Sequence, residues 1–356
     1  MRRPFRRVFL LLPIALLAAC RPGTPVTYPI PPGLSASFPP DALKTNKRYQ
    51  QAFCSVLAED VFQGDRWQEC KHYVDMPSSL QPKKLEDDNL KNWTLLLVGG
   101  LGAQCFAPTV VAFEDAAKHL DEHHRVPYHH IEVDGFGSSE DNARKIVTAV
   151  SGLRETRFIA VTHSKGAADF MVALTKYPDD LKRVKALVTI AGAVGGSWLV
   201  DDLMGLNQGV VSEVLGRKCE ASKALADNGL TSMRRDVRQT FLASVAHDWR
   251  AYSVSAVSTN GKDGNTSDVL KPLWKRVSPY AVEQDSHIVE REALVPGGKY
   301  LGRALGDHWA VAMPFTPNDM IKDKARRFVD RHVQWNRFPR APLVEAAVRI
   351  VTEDIH

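Results

Sequence analysis

Residues 157–170 read RFIAVTHSKGAADF, and this stretch decides the fold. Four apolar residues, 158–161, run into the polar turn THSKG, and small helix-forming residues follow at once. An apolar run without alternation is typical of a strand that is buried on both faces of a sheet. The stretch therefore predicts a buried strand that passes through a sharp turn into a helix, with Ser164 in the turn.

The same rhythm of strand and helix signals continues on both sides of this stretch. The strand-like segments are WTLLLVGG, YHHIEV, RFIAVT, VKALVTIAG and WRAYSVSAVS, and segments with helical spacing separate most of them. Alternating strands and helices favour a parallel sheet. We therefore expect an α/β fold: a mostly parallel central sheet with helices on both faces. Residues 197–247 break the rhythm with helical, mixed-polarity sequence, which we interpret as a cap insertion; a longer surface crossover is the alternative.

The N-terminus has the layout of a secretory signal. Four arginines precede an apolar run, 8–19, that is shorter than the roughly 20 residues of a membrane-spanning helix. The run ends Leu-Ala-Ala-Cys, which resembles the bacterial lipobox. We expect residues 1–19 to be removed and Cys20 to carry acyl chains that anchor the protein in the bacterial cell envelope, at the outer membrane or the periplasmic face. A plain signal peptide or an uncleaved anchor is the alternative.

Composition and charge bound the remaining organisation. Residues 20–45 are rich in proline and predict an extended tether. The main domain is expected over 46–356, with 46–92 as an N-terminal extension. The formal charge of +5 includes the four arginines of the signal, which leaves the mature chain near +1. This balance gives no argument for nucleic acid as a partner, and we expect a monomer.

The cysteines fit an exported protein. Without Cys20 four remain, which allows two disulfides in an oxidising compartment. Of three pairings we expect Cys54–Cys70 and Cys105–Cys219; buried free thiols are the alternative. No Cys-x-x-Cys pair and no His/Cys spacing suggests zinc, so neither a metal nor a cofactor is expected.

Ser164 lies where reactive groups collect, at the carboxyl end of a strand in a parallel sheet. A turn that holds a nucleophile needs small residues two positions before and two after the serine, because it brings backbones close together. Gly166 fits this requirement, whereas Thr162 adds a branched side chain. Lys165 directly follows the serine, and we expect its side chain to face solvent. Further upstream, His119, His123 and His124 fit the solvated end of a helix.

A serine hydroxyl is a poor nucleophile without a base to take its proton. His308 stands in a Gly-Asp-His turn after the last strand-like signals, and Asp285 precedes it by 23 residues. Both follow Ser164 in the order serine, acid, histidine. Alternatives remain for each role: His287 or His247 for the base, and Asp263 or Asp268 for the acid.

Four segments together resemble the lipase and esterase branches of the α/β-hydrolase superfamily over roughly residues 93–315. They are LLLVGGLG, EVDGFGSSEDNA, VTHSKGAADF, and DSHIVEREALVPG with GDHWAVA. Lipases of this kind take the acid from an Asp-Gly-x-Val-Pro tract and the base from a later Asp-His. Here Ser286-His287 replaces the usual glycine. The resemblance implies that Ser164 attacks an ester carbonyl, that His308 moves the proton, and that Asp285 orients the imidazole.

The resemblance also implies an oxyanion hole and an activity. Two backbone N–H donors are expected, from Lys165 and from Leu101 in the glycine-rich loop, with Gly100 as the alternative to Leu101. The implied protein is an exported, lipid-anchored serine hydrolase that cleaves carboxylic esters of an acyl or lipid-like kind. Two alternatives stay open: an acyltransferase with the same triad, and a non-catalytic binding module of the envelope.

Overall fold

The computed structural model describes residues 46–58, 70–75, 85, 90–101, 111–205, 228–246, 248–261, 264–314 and 338–355. Several residues of the sequence predictions lie outside these ranges. They are the signal, Cys20 and the whole tether, and also Cys105, Cys219, His247 and Asp263. The predictions that concern them, including the Cys105–Cys219 pair, stay predictions.

Six parallel strands form one sheet, in the spatial order β2-β1-β3-β4-β5-β6. The strands are β1 (Thr94–Val98), β2 (Tyr128–His130), β3 (Phe158–His163), β4 (Val184–Ile190), β5 (Ala251–Ala256) and β6 (Lys299–Ala304). Strand β1 pairs with β2 on one side and with β3 on the other. The strand order therefore reverses at β1, and the crevice beyond the carboxyl ends of β1 and β3 is where open α/β sheets bind ligands.

Helices cover both faces of this sheet. They are α1 (Lys47–Ala58), α2 (Glu114–His124), α3 (Ser139–Gly152), α4 (Lys165–Lys176), α5 (Arg235–Ala243), α6 (Lys271–Val277) and α7 (Arg340–Asp354), with 3-10 turns at Leu90–Asn92 and Glu290–Ala293. Leu95 and Leu97 of β1 pack with α1, α2 and α7. Leu96 and Val98 pack with α3 and α4 on the other face. Because both faces are buried, the strand is apolar at every position, as the sequence indicated.

The N-terminal extension closes the β6 edge of the sheet. The backbone N–H of Asn46 donates to the carbonyl of Leu301 at 2.9 Å, and Val74 forms an antiparallel bridge with Ala304. A disulfide joins Cys54 to Cys70, the first of the two predicted pairs. Covering an edge strand removes the unpaired backbone groups that would otherwise promote association between chains.

In the residues that the structure describes, the long segment between β4 and β5 is mainly helical. Residues 198–205 and 228–231 are helical, and α5 follows. An apolar cluster joins this segment to the loop that carries Asp285; it contains Trp198, Leu203 and Ile288, with Leu101 packed against it. Within the described ranges, no helix combines the length and the apolar character that crossing a membrane requires.

Candidate active site

Ser164 sits in a strained turn between β3 and α4. Its backbone has φ 54° and ψ −125°, a conformation that residues other than glycine rarely adopt. A Cβ at Gly166 would lie 2.4 Å from the carbonyl oxygen of Gly99. A Cβ at Gly100 would lie 2.6 Å from the Cβ of Ser164. The glycine-rich loop after β1 is therefore packed directly against the serine, and only glycine fits at these two positions.

Thr162 is accommodated because its side chain points towards the neighbouring strand. The hydroxyl donates to the carbonyl of Val188 in β4 at 3.1 Å, and the residue is completely buried. The hydroxyl of this branched side chain is thus satisfied inside the sheet.

Ser164, His308 and Asp285 meet at the carboxyl edge of the sheet. Ser164 Oγ lies 2.9 Å from His308 Nε2, and His308 Nδ1 lies 2.7 Å from Asp285 Oδ2. The backbone N–H of His308 also donates to the carbonyl of Asp285 at 2.9 Å. The three side chains, separated by up to 144 positions in the sequence, form one continuous hydrogen-bond chain with the histidine in the middle.

A tight hairpin holds the Asp285 carboxylate. Its Oδ1 accepts from the backbone N–H groups of His287 at 2.9 Å and Ile288 at 2.7 Å. Ser286 has φ 88°, in the region that favours glycine. This is the position at which the resembling lipases carry glycine. The departure in sequence therefore leaves the turn in place and stores strain in Ser286.

Asp307 fixes the turn that presents His308. One carboxylate oxygen accepts from the backbone N–H of Ala310 at 2.9 Å, and the other accepts from the backbone N–H of Ser267 at 2.8 Å. Burial raises the pKa of the Asp307 carboxyl, and these hydrogen bonds act in the opposite direction. Asp307 therefore shapes the backbone next to the base, and its carboxylate is occupied by these donors.

Two further imidazoles sandwich His308. The ring of His287 stacks on it at a centroid distance of 4.4 Å and an interplanar angle of 14°, and the ring of His163 lies at 4.6 Å on a tilt of 40°. His163 Nε2 donates to the carbonyl of His308 at 2.9 Å. The pair restricts rotation of the His308 ring. No sequence pattern signalled it, because His163 ends β3 while His287 and His308 come from two separate loops.

Burial sets the electrostatics of this group. It lowers the pKa of His308 to about 3 and raises the pKa of Asp285 to about 6, since a buried site disfavours both charged forms. Burial also lowers the pKa of His163 to about 3, with the nearby His308 acting in the same direction. At neutral pH the resting site therefore holds an ionised Asp285 beside a neutral His308, whose Nε2 can accept the proton of Ser164.

Comparison with known proteins gives a result at the level of structure only. No protein-family model and no curated protein matches the sequence. Among solved structures, a metagenomic carboxyl esterase is 27% identical, with a TM-score of 0.74, over 97% of this chain and 99% of its own. At this TM-score and coverage the two chains share one overall fold. The chain belongs to the α/β-hydrolase superfamily.

Two lipases match this α/β-hydrolase more distantly. A Bacillus licheniformis lipase in its mature form is 17% identical, with a TM-score of 0.49, over 66% of this chain and 88% of its own. Lipase 1 of Pelosinus fermentans is 10% identical, with a TM-score of 0.45, over 62% and 93%. Because both TM-scores are below 0.5, these two likenesses carry no argument about the site.

The predicted oxyanion donors lie beside Ser164 in this α/β-hydrolase. Lys165 is the first residue of α4, so its N–H belongs to the positive end of the helix dipole. Leu101 lies in the loop that packs on Ser164, next to Gly100. Leu101 and Gly100 both remain candidates for the second backbone donor, since the loop as a whole approaches the serine.

The expectation that the Lys165 side chain faces solvent is wrong. The side chain is completely buried, and its Nζ donates to both carboxylate oxygens of Asp169 at 2.8 Å. Asp169 also accepts from the side chain of Asn142 at 2.7 Å, which in turn bonds the backbone of Asp134. The α4 helix turns Lys165 inwards because residues four apart share a face, so the cation anchors the helix that follows Ser164 to the loop after β2.

The alternative site residues that the structure describes are engaged elsewhere. His287 Nδ1 lies 2.8 Å from Ser286 Oγ, while His308 is the histidine beside Ser164. Asp268 pairs with Lys271 at 2.6 Å in a half-exposed ion pair. Of the candidates in the described ranges, Ser164, Asp285 and His308 are the set that is brought together.

Proposed function

We infer that this protein is a carboxylic ester hydrolase in which Ser164 is the nucleophile, His308 the base and Asp285 the orienting acid. One observation carries the proposal: the unbroken chain from Ser164 Oγ through the imidazole to Asp285, at 2.9 Å and 2.7 Å. Likeness to a carboxyl esterase over almost the full length supports the same reaction class.

The geometry supports the following sequence of steps. Ser164 Oγ attacks the ester carbonyl carbon while His308 Nε2 takes the hydroxyl proton. The resulting oxyanion accepts hydrogen bonds from the backbone N–H of Lys165 and of Leu101. Collapse breaks the carbon–oxygen bond to the alcohol, which leaves with the proton from His308 and yields an acyl-enzyme. Water then attacks, gives its proton to His308, and a second collapse releases the acid and restores Ser164.

Asp285 contributes through the imidazolium that forms transiently at His308. Its carboxylate fixes the tautomer with the proton on Nδ1, so that Nε2 faces the serine. Because the site is buried, the attraction between imidazolium and carboxylate is stronger than it would be in water. The two backbone donors on Oδ1 keep Asp285 ionised and aligned.

The surroundings favour an apolar acyl group. Trp198, Leu203 and Ile288 belong to the apolar cluster beside the site, and Leu101 and Trp309 pack against it. We propose acyl or lipid-like esters as substrates and the helical segment within 197–247 as the cap over them. The N-terminal sequence supports export and lipid anchoring at Cys20, which a Cys20→Ala variant tests: it should leave the membrane fraction while keeping its activity in detergent-free extracts.

The deciding experiment is labelling with a fluorophosphonate probe. The wild type should be labelled, Ser164→Ala should not, and Ser258→Ala, which alters another buried serine, should be labelled like the wild type. Labelling that persists in Ser164→Ala would reject Ser164 as the nucleophile. Absence of labelling and of turnover in the wild type would favour the non-catalytic binding module.

Substrate class follows from p-nitrophenyl esters of rising acyl length. We expect turnover to increase beyond acetate, because longer chains gain contact with the apolar cluster. Adding a small alcohol as a competing acceptor then separates hydrolysis from acyl transfer. A new ester that accounts for most of the released p-nitrophenol would identify the protein as an acyltransferase.

A further inference from the structure

A second group of histidines meets a buried carboxylate far from Ser164, between α2 and α7. His119 Nε2 lies 3.0 Å from Glu345 Oε2, and His124 Nε2 lies 3.1 Å from Glu345 Oε1. Their side chains are 10%, 12% and 1% exposed for His119, His124 and Glu345 respectively. The expectation of a solvated helix end is therefore wrong for these two histidines, whereas His123 is exposed.

The three donor atoms have the spacing of a metal site. One atom from each side chain can be chosen so that all lie within 4.8 Å of one another. Ligand atoms about 2.0–2.1 Å from a tetrahedral zinc ion lie roughly 3.3 Å apart, and His119 Nε2 lies 3.0 Å from Glu345 Oε2. Imidazole nitrogen and carboxylate oxygen are both ordinary ligands of zinc, cobalt and nickel. We propose that His119, His124 and Glu345 bind a divalent metal of this class, which joins α2 to α7.

Arg349 contacts one oxygen of the Glu345 carboxylate, so the two oxygens have different partners. Its Nε donates to Oε1 at 2.8 Å, and its Nη2 lies 2.7 Å from the same oxygen. The other oxygen, Oε2, faces His119, so it is the oxygen that would bind the metal. Arg349 is also a cation that competes with the metal for this carboxylate.

Metal binding requires that the Nε2 atoms of both histidines carry no proton. Each Nε2 atom must present a lone pair, so a histidine that carries a proton there loses it or moves to the Nδ1–H tautomer. The metal replaces the hydrogen bonds that now join the imidazoles to Glu345. Affinity should therefore fall as the pH is lowered, because protons compete for the same nitrogen atoms.

No short sequence pattern signals this site. The two histidines are five positions apart at the end of α2, and Glu345 comes 226 residues after His119. Among the contacts of the described residues, none joins the three proposed ligands to Ser164, His308 or Asp285. The metal site therefore does not depend on the proposed ester hydrolysis. One other group has metal-ligand spacing among the described residues, Asp285 with His287 and His308, and it belongs to the active site. A test must separate the two.

The test uses the full mature chain without a histidine tag, freed of metal by dialysis against a chelator. Zinc affinity is measured by competition with a chromophoric chelator, and we expect a Kd of about 1 μM or tighter. His119→Asn and His124→Asn should each weaken zinc binding at least about 10-fold. Two matched controls should keep it: His129→Asn, which alters a partly exposed histidine–glutamate pair (His129 to Glu155, 2.7 Å), and His287→Asn at the active site.

Arg349→Met sharpens the test, because it removes the competing cation and should leave zinc affinity unchanged or higher. Far-ultraviolet circular dichroism checks that each variant is folded. If the variants at α2 fail to fold, anomalous scattering at the zinc edge from wild-type crystals locates the ion directly.

Three outcomes would overturn the proposal. They are a wild-type Kd weaker than about 100 μM, zinc binding that survives both histidine variants, and binding that is lost in His287→Asn. The first would leave the cluster as a plain ion-pair network, and the last would assign the metal to the active site.

Discussion

Two buried carboxylates in this molecule are bonded to histidine, and they differ in what else surrounds them. Asp285 and Glu345 are 0% and 1% exposed, and each lies within 3.1 Å of an imidazole nitrogen. Asp285 has only imidazoles and backbone N–H groups as neighbours in the contacts described, and burial raises its pKa to about 6. Burial also acts to raise the pKa of Glu345, but hydrogen bonds from His119 and His124 and the charge of Arg349 outweigh it and lower the pKa.

The difference shows that a histidine–carboxylate pair acquires its chemistry from a third group. Without a permanent cation, burial holds His308 neutral and ready to accept a proton, which suits a general base. With Arg349 alongside, Glu345 stays charged over the whole neutral and mildly acidic range, which suits a structural ion pair or a metal ligand. The predictions that follow test each side of this contrast.

The largest effect is expected at the proposed base. His308→Ala removes the only group that accepts the Ser164 proton in the proposed mechanism, so kcat should fall by about 10⁴-fold or more. His129→Ala, on the β2 edge, should change kcat by less than about 2-fold, as is usual for a surface substitution. Steady-state kinetics with a p-nitrophenyl ester measure both. Near-normal turnover in His308→Ala would transfer the role of base to His287 or His247.

The carboxylate beside that base gives the next effect. Asp285→Asn should lower kcat by about 10⁴-fold at neutral pH, because the amide favours the wrong tautomer of His308. In the wild type, kcat/KM should be constant above pH 6 and fall about tenfold per pH unit below it, as Asp285 becomes protonated. A pH–rate profile measures this limb, which reports the Asp285–His308 pair as a unit. An acid limb at pH 4 would contradict the raised pKa.

A third buried carboxylate, Asp169, is paired with the ammonium group of Lys165 and serves as a comparison for Asp285 and Glu345. Lys165→Met leaves Asp169 buried without its ammonium partner and should lower the free energy of unfolding by about 3–5 kcal/mol. Lys271→Met breaks the half-exposed pair with Asp268 and should cost only about 0–1 kcal/mol. Urea unfolding of both variants measures the difference. Equal costs would mean that Asp169 is satisfied by Asn142 alone.

The smallest effect is expected at Glu345. Because its pKa is lowered on folding, its charge stabilises the native state above the unfolded value of 4.5, and this stability is lost as the pH falls below it. Glu345→Gln should remove that pH dependence and cost about 1–3 kcal/mol at pH 7. Urea midpoints from pH 7 down to about pH 3, in chelator-treated buffer, measure it. A variant with the wild-type pH dependence would show that another group is responsible.

Much of the fold follows from local sequence. The continuous apolar strands predicted a parallel sheet buried on both faces, and β1, β3, β4 and β5 lie where these runs stand. Helix α7 is different: 13 of its 15 residues are buried, and its sequence shows no apolar stripe to announce it. It packs against α1 and α2, so its position depends on surfaces that are assembled elsewhere in the chain.

The candidate site also has features that local sequence predicts and features that depend on tertiary packing. Ser164 was predictable because a strand, a tight glycine turn and a helix are contiguous, and their spacing encodes the geometry. The choice of Asp285 and His308 among several acids and histidines rested on chain order and resemblance. Their distances to Ser164, the stack of His163 and His287, and the burial of Lys165 depend on side-chain packing across the sheet.

The sequence by itself determined the alternation of strands and helices and the turn at Ser164, because backbone sterics and hydrophobic periodicity act over a few residues. Only the tertiary structure decided which histidine meets which carboxylate. Those pairs join residues 23 and 226 positions apart, and their pKa values follow from the burial and charges that surround them. Short-range pattern fixed where the nucleophile stands, and long-range packing fixed what each histidine can do.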